Sequence, residues 1–162
     1  MGGTTGDLEG NLARLLHLLR SLRFDAPDVD GLRAGQPAAA LSILRHAFLR
    51  FSRHVTRCLL AAGHELQAKD DARFAESALK ALRVSLGCRP ALLASQVMAP
   101  SAFAEQKLLL CIDALQSCTA LHNDLCREHR QLHARPVRCT DPVRTCLSRA
   151  AAFTFKSLTA PA

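Results

Sequence analysis

The run SAFAEQKLLLCIDALQSCTALHNDLCREHRQLH, residues 101–133, decides the fold class. Pro100-Ser101 opens it, with Ser101 offering a side-chain oxygen to an orphan backbone N–H at a helix start. Phe103, Leu110, Ala114, Leu121 and Leu125 recur on one face, so the spacing predicts a single long helix ending near His133, with these residues toward a core.

The chain before this run predicts more helices. Residues 71–86 carry Phe74, Ala78, Leu82 and Leu86 at helical spacing, with Asp70-Asp71 as start residues and Gly87 as a stop. Residues 48–62 repeat the pattern with Phe48, Phe51, Val55 and Leu59, ending at Gly63. Gly35-Gln36-Pro37 opens a helix over Ala38 to Ala47, since proline loses nothing at a first helical position. Residues 7–24 form an amphipathic helix on Leu8, Leu12, Leu15, Leu16, Leu19 and Leu22, capped by Asp7. Phe24 to Gly31 reads as a turn, rich in Asp with Pro27 and Gly31. Pro90 to Met98 predicts a short helix. No internal repeat and no sustained heptad is present.

After Arg135 the periodicity stops, and Pro136, Pro142 and Pro161 interrupt a basic segment. The expected organisation is an all-α domain over 1–135, ending in a long helix, followed by a basic tail over 136–162. Composition agrees with the class. The 162 residues suit one domain, 49% are hydrophobic, and there is no Trp or Tyr.

No uncharged run is long enough to span a bilayer, and the first residues lack the features of a secretory signal or a myristoylation site. The expected location is therefore the cytoplasm. The seven cysteines then read as reduced thiols without disulfides. The formal charge is +7, yet residues 1–126 hold 14 Lys/Arg against 12 Asp/Glu, while 127–162 hold 7 against 2. Within the domain one basic stretch stands out. Between Asp30 and Glu65 there is no acid, whereas Arg33, Arg45, Arg50, Arg53 and Arg57 all occur, with His46 and His54 among them. Such a stretch is either a solvated face or the footprint of an anionic partner.

Chemistry is sparse. Cys118, His122, Cys126, His129 and His133 share one face of the long helix, a face that soft metals favour. Structural zinc draws its ligands from more than one element, so core packing is the better reading and no metal is expected. No nucleophile elbow, phosphate loop or dinucleotide fingerprint occurs. The chain reads as a binding protein and not an enzyme, with no cofactor. Nucleic acid is disfavoured, because base-stacking aromatics and reading motifs are absent.

Several clusters occur in an order that resembles the amino-terminal domain of the family of the centrosomal protein of forty-four kilodaltons. They are Gly6-Asp7-Leu8; Gly31-Leu32 with Gly35 and Pro37-Ala38-Ala39; Ser52 with Val55-Thr56; Glu65-Leu66 and Ala68-Lys69; Asp71 and Arg73-Phe74; Lys80, Leu82-Arg83; Pro90; and Phe103-Ala104-Glu105 with Lys107. The match covers about residues 6–125. Gln106 and Ala94-Ser95 depart from the family pattern. The resemblance implies a calponin-homology-like helical domain at centrosomes, centrioles and spindle poles, part of the cytoskeleton. It also implies tubulin or microtubule binding and support for the maturation of centrioles into centrosomes.

Joined to the basic stretch, the resemblance makes Arg50, Arg53, Arg57, Lys69, Arg73, Lys80 and Lys107 the candidate tubulin contacts. The alternative expectation is a module that docks another centriolar protein through an apolar surface, without touching tubulin.

Overall fold

The computed structural model describes the backbone of residues 6–134 and the side chains as far as Gln131. Among these residues there are seven α-helices and no strand, as the periodicity predicts. They are α1 Leu8–Ser21, α2 Val29–Arg33, α3 Pro37–Arg45, α4 Arg53–Ala61, α5 Asp71–Val84, α6 Ala94–Met98 and α7 Ala104–Ala134. A π turn, His46–Arg50, continues α3. The basic segment 136–162 lies outside the described residues.

Local chemistry explains the starts. Asp7 caps α1 by accepting from the Gly10 N–H at 2.8 Å, and Asp70 caps α5 from the Arg73 N–H at 3.4 Å. Asp28 caps α2 through the Gly31 N–H at 2.9 Å, so the expected turn over Phe24–Gly31 runs into a short helix. Pro37 stands in the first turn of α3.

The predicted helix over 48–62 is corrected. The π turn carries the chain to Phe51, whose N–H bonds the His46 carbonyl at 2.8 Å. Ser52 then turns extended and caps α4 through the Val55 N–H at 3.4 Å. Thr56 secures the break by donating its hydroxyl to the Phe48 carbonyl at 2.8 Å. The sequence pattern hides the break because the apolar spacing runs across it.

The start of α7 also differs from expectation. Ser101 and Phe103 hold φ of +53° and +56°, so the helix begins at Ala104 and Ser101 is not its cap. Phe103 is 40% exposed, not in the core. Leu110 and Ala114 are buried as predicted, and Leu121 and Leu125 are half-buried.

One hydrophobic cluster draws on every helix. α7 is its axis: α1, α2, α3, the π turn and α4 all pack on it, while α5 packs on α3 and α6. Phe48, Phe74, Leu15, Leu59, Leu82, Leu108 and Leu115 are fully buried. Burying each such side chain contributes about 1.5–3 kcal/mol.

Candidate interaction surface

The motif Phe103-Ala104-Glu105 with Lys107 is a clamp. Glu105 Oε1 accepts from the Gly6 N–H at 2.6 Å, the Asp7 N–H at 3.2 Å and Asn11 Nδ2 at 3.2 Å. This ties the first residues of α1 to the start of α7. Lys107 is only 2% exposed and donates through Nζ to the Gly35 carbonyl at 2.7 Å and to the Ala99 carbonyl. Burial lowers its pKa. Gly35 needs its lack of a side chain. Its φ is +70°, and a Cβ there would stand 3.1 Å from the Ala102 carbonyl oxygen and from Ala104. Lys107 is therefore withdrawn from the expected surface contacts, because its ammonium is spent on two backbone carbonyls inside the fold.

The remaining cations divide. Arg33 is held by Glu9 at 2.8 Å, and that hydrogen bond lowers the Glu9 carboxyl pKa. Arg45 bonds Asp71 at 2.8 Å and the Ala68 carbonyl at 3.2 Å, with its guanidinium 4.1 Å from the centre of the Phe74 ring. Both belong to the fold. Arg50, Arg53, Arg57, Lys69, Arg73 and Lys80 are all exposed, and among the described residues none of them forms an ion pair with an acid. Arg53 and Arg57 share a face of α4, and Arg73 and Lys80 share a face of α5.

The structure joins these two groups through a residue that the basic pattern did not reveal. Leu60 continues the Arg53–Arg57 face of α4, and it lines an open cleft of about 710 Å³ together with Glu65, Gln67, Lys69, Asp70 and Arg73. His64, beside the cleft in sequence, is buried and shares a 2.7 Å hydrogen bond with the Ser85 hydroxyl. Desolvation first, and the charge of Lys80 second, lower its pKa.

The Cys/His face of α7 gains a second element. Ser52 Oγ and His122 Nδ1 are 2.8 Å apart, and Cys126 Sγ is 3.6 Å from His122 Nε2. The His54 ring of α4 lies 6.3 Å from that of His122 and 5.8 Å from that of His129. Among the described residues no three such side chains are arranged to hold a metal ion, and His133 falls outside the described side chains. Cys118 is in the core, where burial pushes its thiol pKa up to about 12. Cys88, Cys111, Cys118 and Cys126 are free thiols, as expected.

The family model described as "Centrosomal spindle body, CEP44" matches residues 7–132. The chain belongs to this family. Its similarity to the rat "Centrosomal protein of 44 kDa" is 32% identity over 145 residues, 84% of this chain and 37% of the relative. The human protein of that name is 35% identical over 122 residues, 75% of this chain and 31% of the relative. The Xenopus laevis protein is 32% identical over 128 residues, 78% and 33% respectively. The chain thus spans about a third of the length of these CEP44 relatives. Apart from Gly6, the clamp, Gly35 and the cation clusters fall within the part matched by the CEP44 family model. Among the described residues, no helix is long and apolar enough to cross a membrane.

Proposed function

We propose that this chain is a non-catalytic centrosomal module of calponin-homology-like fold that binds tubulin or microtubules and supports the maturation of centrioles into centrosomes. The observation that carries the reading is the set of six exposed cations, Arg50, Arg53, Arg57, Lys69, Arg73 and Lys80, which no acid of the described fold neutralises. A surface of one sign attracts an acidic partner and raises its local concentration. Cosedimentation with microtubules tests the proposal. The bound fraction falls as salt rises, since exposed charges are screened. The combined change Arg50→Glu, Arg53→Glu and Arg57→Glu weakens binding about tenfold or more at low salt, at up to about 1 kcal/mol for each lost contact. Absence of binding at low ionic strength overturns it.

A second reading, docking of another centriolar protein through an apolar surface, draws support from Phe103 and from Leu93, which is 58% exposed. A Phe103→Ser variant that loses recruitment to centrosomes while keeping microtubule binding would favour that reading.

A further inference from the structure

The seam between α4 and α7 is lined with imidazole. The His54 ring of α4 lies 5.8 Å from that of His129 and 6.3 Å from that of His122, both on α7. His122 is the inner ring, held by the Ser52 hydroxyl at 2.8 Å and by the edge of Phe51. His54 is exposed and His129 half-buried, so these two rings reach the surface that carries Arg53 and Arg57. Across the seam, Arg130 is exposed and donates to the Cys126 carbonyl at 3.3 Å, which draws its guanidinium back along α7.

Among the described residues, the elements that meet here turn no acid toward the rings. The π turn contributes Arg50, its His46 being directed to the Leu22 carbonyl. α4 contributes Arg53, Arg57 and Cys58 and contains no acid, the first one after it being Glu65, past its end. α7 contributes His122, Cys126 and Arg130, while Asp124, its 3.7 Å partner Arg127, and Glu128 project from the far side of that helix. The seam is therefore basic, and its charge grows as the outer rings take up protons, since imidazole changes charge near neutral pH. Two imidazoliums this close repel each other and the arginines, and a carboxylate placed between them relieves the repulsion. Proton uptake and the binding of an acidic partner thus strengthen each other by linkage. We propose that His54 and His129, flanked by Arg53, Arg57 and Arg130, belong to the surface that binds the acidic partner and make its affinity rise as pH falls. This rests on the tubulin reading above and names a regulation of that same surface.

The test measures microtubule affinity of the full chain at low, fixed ionic strength, at about pH 6 and about pH 7.5, either side of the range where imidazole titrates. The parent is expected to bind about threefold more tightly at the lower pH than the double variant His54→Gln with His129→Gln, and equally at the higher one. Any pH response of the microtubule itself is common to both proteins and cancels in that comparison. His17→Gln, on the exposed face of α1, keeps the parent's response. His54→Arg carries its charge at both pH values, so it binds at the higher pH about threefold more tightly than the parent does. Urea midpoints at each pH show that the variants are folded, and if the double variant is not, His54→Arg decides alone. If the parent binds in a salt-dependent way but shares its pH response with the double variant, or His54→Arg binds no tighter than the parent at the higher pH, the seam proposal is overturned and the tubulin reading stands. If the parent binds at neither pH, both are overturned.

Discussion

Lys107 shows how one side chain changes meaning between sequence and structure. In sequence it is a lone cation two residues after Glu105, open to a surface role. In the fold it joins the Gly35 turn to the residue that follows α6, and its charge is stabilised by two carbonyls. Replacing it with Met leaves both carbonyls without that donor, at about 1–3 kcal/mol for each buried group left unpaired. Relief from burying a charge offsets part of this. Lys107→Met is thus expected to lower stability by about 2 kcal/mol in urea denaturation, without changing the salt dependence of microtubule binding. A variant that kept its stability and lost binding would return Lys107 to the surface.

His64 gives a pH dependence of definite sign. Its folded pKa lies below the unfolded value of 6.5, because burial and Lys80 disfavour the charged ring. Between the two values the unfolded chain binds more protons, so stability rises with pH across that window. The contribution is complete above 6.5 and is lost as pH falls through the folded pKa. Urea midpoints followed from pH 7 down to pH 5 are expected to drop, and His64→Gln should flatten that drop. An unchanged slope in the variant would assign the acid sensitivity to other groups.

At the scale of elements, the long helices were legible and the joints were not. α1, α5 and α7 follow from leucine and alanine spacing, with Asp caps on α1 and α5. Sequence could not show the break at Ser52, because Phe48, Phe51, Val55 and Leu59 keep a helical interval on both sides of it. What decides the break is the Ser52 and Thr56 hydroxyls bonding to backbone, together with His122 from a distant part of α7. Ser52→Ala removes a cap and the partner of His122, and is expected to cost about 1–2 kcal/mol by urea denaturation. Gly35→Ala tests the neighbouring joint. A methyl group at positive φ, 3.1 Å from backbone, is expected to cost more than about 1 kcal/mol in the same measurement. The candidate surface was legible in part. Arg50, Arg53, Arg57, Lys69, Arg73 and Lys80 stay outside, while Arg33 and Arg45 leave the basic stretch by pairing with acids far away in sequence. Leu60 carried no signal, since an exposed leucine on an amphipathic helix reads as core.

For the whole molecule, the shared core makes burial a reporter of global unfolding. Cys111 and Cys118 sit within it, with burial pushing both thiol pKa values up to about 12. Alkylation mapped by mass spectrometry is expected to reach them only at the rate of global opening, while Cys126, half-buried, reacts in the native protein. Equal rates at all three would mean that α7 separates from the rest without full unfolding.

α7 also makes the domain a ruler. Its first turn is fastened to Gly6 through Glu105, and its 31 residues extend about 46 Å at the usual helical rise. A label at Gly6 and a label at Ala134 therefore report positions that differ by roughly the width of a small protein, about 45 Å. Resolving the pair at a centrosome would give the direction in which each molecule points.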